Sequence, residues 1–148
     1  MKRIYSMFHP EDYIETAKEY VEEYSSVRFA APEKDVALIR SYPHPCPEPS
    51  MLLKDGDKIM LGETEIRVIE TPGHTGGGVC FATDKEIFTG DTLFRLSVGR
   101  TDLESGDWDT LVKSISEKLY TLDEDMVVYP GHGASTTIGF EKRVNPFV

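Results

Sequence analysis

Short apolar runs, each bounded by proline, glycine or acidic residues, set the plan of this chain. Ile4-Tyr-Ser-Met-Phe8 predicts a strand, and His9-Pro-Glu-Asp12 predicts the helix start after it, with proline near the first helical position and acids in the first turn. Tyr13, Ile14, Ala17, Tyr20, Val21 and Tyr24 follow at helical spacing. Val27-Arg-Phe-Ala30 predicts a second short strand, and the stretch from Ala31 to Ile39 a second helix or helical turn. Tyr42 to Pro49 holds four prolines in eight residues and predicts an ordered or extended loop. Beyond it the alternation changes. Lys58–Leu61 and Glu65–Glu70 read as strands joined by a tight turn at Gly62-Glu63, and Val79–Ala82 and Glu86–Thr89 as a second pair turning at Asp84-Lys85. Trp108, Leu111, Val112, Ile115 and Leu119 form the apolar stripe of an amphipathic helix with Asp107 as its cap. Met126–Tyr129 predicts a last strand, and a short helix carries Phe140–Arg143. Strands interleaved with helices indicate a layered α/β domain.

Size and charge narrow the function. The 148 residues suit one domain with a real core, and 39% hydrophobic against 28% charged residues is a globular balance. Twenty-six acidic against 16 basic residues give a net charge of −10. That charge disfavours nucleic acid and anionic membrane surfaces as partners. Cys46 and Cys80 form no CxxC pair and suggest no disulfide framework. Cys80 sits in an apolar run and reads as a small core residue. The apolar run after Met1-Lys-Arg3 is too short for a signal peptide, and no stretch approaches a membrane span. The expected compartment is the cytoplasm.

Three turns carry ligand-type side chains beside glycine: Thr71-Pro-Gly-His-Thr-Gly-Gly77, Phe88-Thr-Gly-Asp-Thr-Leu-Phe94 and Tyr129-Pro-Gly-His-Gly133. Each ends an apolar strand, where a sheet presents side chains to a cleft. Singly, such a histidine is ordinarily an exposed loop residue and such an aspartate a turn or cap residue. Together, His74, Asp91 and His132 offer two imidazoles and a carboxylate in a chain with four histidines. That donor set suits zinc or iron, and both oxygens of Asp91 are available to bridge two ions. His44 and Cys46, two positions apart in the proline loop, are weaker candidates.

These motifs, with Ser97-Val-Gly-Arg-Thr-Asp-Leu103, resemble the metallo-β-lactamase superfamily. Thr136-Thr-Ile-Gly139 and Glu141-Lys-Arg-Val-Asn-Pro-Phe147 resemble the ending of its short glyoxalase II-like hydrolases. The resemblance runs from about Leu52 to the C-terminus. It implies an αββα sandwich over residues 1–148, truncated at the N-terminal side because the family's first strands and helix have no counterpart. It implies that His74 binds the first metal, that Asp91 bridges both, and that His132 binds the second. The family's remaining ligands come from an upstream His-x-His-x-Asp-His motif. Here the matching stretch is Met7-Phe-His-Pro-Glu-Asp12, which keeps one histidine, His9, and two acids, Glu11 and Asp12. His9, Glu11 or Asp12 is therefore the candidate to complete one mononuclear site, and one zinc is expected rather than two. The implied activity is hydrolysis of thioester or related ester bonds by a metal-bound hydroxide, with Asp91 holding metal or orienting water. Two alternatives stay open: a non-catalytic member acting as a subunit or binding module, and a mononuclear iron site built from His9, His74 and Asp91. Arg100 and Asp102 match a loop-positioning stretch. Missing strands would leave a sheet edge and apolar surface exposed, which predicts a homodimer or a complex that covers them.

Overall fold

A computed structural model describes residues 28–41 and 47–148. The first two predicted elements, with His9, Glu11 and Asp12, lie outside these residues, as do His44 and Cys46. The first described strand is β1 (Ala30–Pro32), which begins three residues and ends two residues after the predicted one. A single 3-10 turn (Glu33–Asp35) leads into α1 (Val36–Ser41), in the stretch where a helix or helical turn was expected. β2 (Met51–Leu53) pairs with β1 in parallel and was not predicted from the sequence.

The main sheet has six strands: β3 (Lys58–Leu61), β4 (Thr64–Glu70), β5 (Val79–Ala82), β6 (Glu86–Gly90), β9 (Val127–Pro130) and β10 (Thr136–Thr137), in the spatial order β10-β9-β6-β5-β4-β3. A small hairpin, β7 (Leu93–Phe94) and β8 (Ser97–Val98), stands apart from it. The pairings decide where chemistry can sit. β4 is antiparallel to β5, and β5 is antiparallel to β6. β6 then pairs in parallel with β9. Thus β4, β6 and β9 all run the same way, and their C-terminal ends emerge at one edge of the sheet. Those ends lead directly to His74, Asp91 and His132.

Cross-strand partners share a face, so register separates core from surface. Ile69–Cys80, Ala82–Ile87 and Ile87–Val128 are paired, and every one of these residues is buried. Leu111, Ile115, Leu119 and Ile138 join them in one core cluster. The first three come from α2 (Trp108–Ser114) and the π-helical turn Ile115–Leu119 that continues it; the last opens α3 (Ile138–Val144). Each fully buried leucine or isoleucine contributes about 1.5–3 kcal/mol relative to an exposed one. Asp107 caps α2 as expected, its Oδ1 accepting from the Thr110 N–H at 2.8 Å. Trp108 departs from the expected stripe. At the first position of α2 it is 44% exposed, edge-on to Phe147, so the stripe begins at Leu111. Among the described residues no helix is long and apolar enough to cross a membrane.

Candidate metal centre

His74 lies on the loop after β4, and that loop is clamped from two sides. On the helix side, the Asp107 N–H donates to the Gly73 carbonyl at 2.8 Å and the Ser114 hydroxyl to the Pro72 carbonyl at 2.7 Å. Gly73 has φ +138°, and a Cβ there would collide with the Leu111 backbone, so only glycine lets the loop approach α2 this closely. On the other side, Asp35 accepts from the Thr75 hydroxyl at 2.6 Å and from the Gly77 N–H at 2.7 Å. Asp35 has no motif around it and went unnoticed in the sequence. A carboxylate with two donors typically stabilises by about 1.5–3 kcal/mol per charged hydrogen bond. Asp35→Ala should therefore lower unfolding stability by about 2 kcal/mol or more, whereas Asp35→Asn should lose less. Urea titration of both variants checks this, and equal losses would count against the clamp.

The His74 ring is oriented by a main-chain group. Its Nδ1 lies 2.7 Å from the Arg100 carbonyl. A carbonyl only accepts, so Nδ1 carries the proton, and in the neutral ring Nε2 presents its lone pair. That lone pair faces Asp91 Oδ2 at 3.5 Å. His132 Nε2 lies 3.5 Å from the other oxygen, Oδ1. A lone pair facing a carboxylate oxygen at this distance, as at His74, suits a cation between them. Two ligand atoms bound at about 2.0–2.2 Å with tetrahedral angles stand about 3.4 Å apart. Each histidine–Asp91 pair thus fits one edge of a metal shell, and the donor set fits zinc or iron. Among the described residues, no three or more histidine, cysteine, aspartate or glutamate side chains group around one point. The two pairs are therefore two edges meeting at Asp91. His9, Glu11 and Asp12, the candidates to complete the set, lie outside the described residues.

Burial grades the three. The Asp91 side chain is 10% exposed, His74 20% and His132 54%, so solvent reaches the centre from the His132 side. The Phe94 ring stands edge-on to His132 at 5.9 Å. Beneath the centre, Thr71 bridges Thr92 (3.0 Å) and Cys80 (3.2 Å). Burial pushes the Cys80 thiol up to about 11. A thiol must lose its proton to bind metal, so Cys80 is a core residue, as expected. The Arg100 and Asp102 side chains bind each other at 2.6 and 2.7 Å in solvent. What Arg100 gives the centre is its carbonyl, which no side-chain pattern could reveal. Gly99, quoted from the sequence only as part of the Ser97–Leu103 motif, packs directly on the Asp91 carbonyl, where no Cβ has room.

The segment between Asp91 and Arg100 is held by α3. Buried Glu141 accepts from the Leu96 N–H at 2.9 Å, from the Thr136 hydroxyl at 2.6 Å and from Asn145 Nδ2 at 2.9 Å. Leu96, at the tip of the β7–β8 hairpin, has φ +57°, a conformation that a non-glycine residue holds only under constraint.

Residues 6–132 match the family model described as the metallo-beta-lactamase superfamily. The hydroxyacylglutathione hydrolase GloC of Haemophilus influenzae is 35% identical over 150 residues, covering 93% of this chain and 71% of that protein. The crystal structure of the BLEG-1 B3 metallo-beta-lactamase superposes with TM-score 0.82 at 30% identity, covering 95% of this chain and 73% of that one. The structure of TTHA1623 in a di-iron-bound form superposes with TM-score 0.78 at 32% identity, covering 93% and 72%. The chain spans only about half the length of other curated relatives it matches, 45% in one mycobacterial case and 50% in an Aquifex aeolicus one.

Proposed function

The chain belongs to the metallo-beta-lactamase superfamily, and from that membership we propose that it is a metal-dependent hydrolase of thioester or related ester bonds. One observation carries the reading: two histidines on different strand ends face the two oxygens of one buried carboxylate, each at 3.5 Å. His74, Asp91 and His132 would hold the metal. A bound zinc or iron ion supplies carbonyl polarisation and the acidified water that hydrolysis at neutral pH needs. The protein's own part is positioning. The Arg100 carbonyl fixes the His74 tautomer, as outer partners of metal-binding histidines do. Asp91 is shielded from water, which strengthens its hold on any cation beside it. The more open side at His132 leaves room for a substrate carbonyl to approach. The thioester class is drawn from the 35% identical relative named as a hydroxyacylglutathione hydrolase.

The test is metal analysis of protein purified without added metal, with hydrolysis of S-lactoylglutathione assayed before and after chelation. Bound zinc or iron and chelator-sensitive release of thiol are expected. Metal-free protein that cannot be reloaded, with no turnover of any thioester, would sink the proposal. That outcome would favour a second reading, a non-catalytic member of the family. Its support is in the sequence: of four histidines only His9 precedes the proline loop, and no His-x-His-x-Asp-His occurs. Tightly held iron with oxygen consumption would instead favour an iron oxygenase-like site.

A further inference from the structure

We infer that Glu141 is a positioning residue for the centre, setting the spacing between the Asp91 segment and the His132 segment; this rests on the metal-binding reading above. Glu141 is fully buried on α3, with no cation bonded to its carboxylate among the described contacts. Such a group is expensive to keep unless its hydrogen bonds do something that an apolar residue could not. Its two oxygens point to different places. Oε2 takes the Leu96 N–H, five residues after Asp91. Oε1 takes the Thr136 hydroxyl, four residues after His132. One carboxylate therefore joins the two loops that carry facing ligands.

Two further features place Glu141 at the centre of this joint. Asn145, one turn on along α3, donates both to Glu141 Oε2 at 2.9 Å and to the Ser97 carbonyl at 3.1 Å, so the hairpin tip is held at adjacent residues. Leu96 keeps its left-handed backbone at the residue whose N–H Glu141 accepts, which is how a strained conformation is over-determined by its surroundings. From Ser97 the chain runs three residues to the Arg100 carbonyl that orients His74. A shift of the hairpin would move the Asp91 end and the Arg100 end together.

The chemistry of the joint separates a geometric role from a charge role. In Glu141→Gln the amide oxygen can keep Leu96 and Asn145, while the amide NH2 donates to the Thr136 hydroxyl, which can turn to accept. Glu141→Ala removes all three bonds. Thr136→Val cuts only the His132 side. The experiment measures Zn²⁺ affinity of wild type and the three variants by chelator competition, alongside amide exchange of Leu96 and Gly99 by NMR. Glu141→Ala should bind Zn²⁺ more than ten-fold more weakly, within the range that loss of an outer partner causes. Glu141→Gln should stay within about three-fold of wild type, and Thr136→Val should fall between them. Folded Glu141→Ala with wild-type affinity would overturn the proposal. So would Glu141→Gln binding as weakly as Glu141→Ala, since charge would then be the cause. If Glu141→Ala does not fold, Thr136→Val decides, and wild-type affinity in it overturns the proposal. If wild type itself binds no Zn²⁺, the metal reading has failed and amide exchange decides the clamp separately. Exchange at Leu96 at least ten-fold faster than wild type in Glu141→Ala or Thr136→Val, but not in Glu141→Gln, supports it; unchanged exchange overturns it.

Discussion

Asp91→Asn should abolish metal binding while leaving the fold intact. The substitution keeps the shape of the side chain but removes its charge, and turns one of its two acceptors into a donor. Turned toward His74, that donor would face the Nε2 lone pair, now 3.5 Å from a carboxylate oxygen. The amide would close the site with a hydrogen bond where an ion is meant to sit. Metal affinity should fall by more than ~100-fold, beyond the ~10–100-fold that loss of an outer partner costs. Hydrolysis should fall with it. Stability of the metal-free protein should change little, because the substitution keeps the volume and shape of the side chain. Calorimetric melting of the metal-free proteins, together with metal titration, checks both halves. A variant that binds zinc as wild type does would remove Asp91 from the centre. One that melts well below wild type would make it a structural residue.

The second large effect is expected at Gly99. A methyl group there would fall on the Asp91 carbonyl oxygen, and would also stand 3.4 Å from the His74 Cβ. A backbone carbonyl cannot swing aside as a side-chain tip does, so the Asp91 turn or the Gly99 strand end must shift. Gly99 also donates its N–H to the Thr92 carbonyl at 3.2 Å, so a shift breaks the bond that fastens the hairpin to that turn. Overpacking of this kind costs about 1–3 kcal/mol, and in a chain of this size about 3 °C of melting temperature follows each kcal/mol. Gly99→Ala should thus melt roughly 3–10 °C lower and bind metal at least ten-fold more weakly. Gly76→Ala is the control: the nearest atom to its new methyl is Ser105 Cβ at 3.7 Å, so both readouts should hardly move. Equal behaviour of the two variants would mean that the turn at Asp91 tolerates displacement.

Much of the sheet is legible in the residue pattern. β3, β4, β5 and β6 fall within a residue of where alternation places them. The hairpin turns and the Asp107 cap follow, because each depends on neighbours in sequence. The short pieces were invisible. β2, β7, β8 and β10 have two or three residues each, too few to show a period, and exist because a partner strand supplies their hydrogen bonds. Trp108 misled for a related reason. It fits the helical stripe by spacing, but at the first position of α2 it stands exposed, and Phe147, met edge-on, is its one aromatic contact among the described residues.

The sequence by itself determined the donor types: two histidines and an aspartate, each beside glycine at the end of an apolar strand. Those are local facts of composition and spacing. Tertiary structure alone decided that they meet. Two antiparallel steps followed by one parallel step give β4, β6 and β9 a common direction, so residues as far apart as His74 and His132 share one edge. It also decided what holds them: the Arg100 carbonyl, the Asp35 carboxylate, the bare Cα of Gly99 and the buried Glu141. These act through backbone atoms, close approach or hydrogen bonds to segments distant in sequence, which depend on what folds against a residue and leave no mark in the order of side chains.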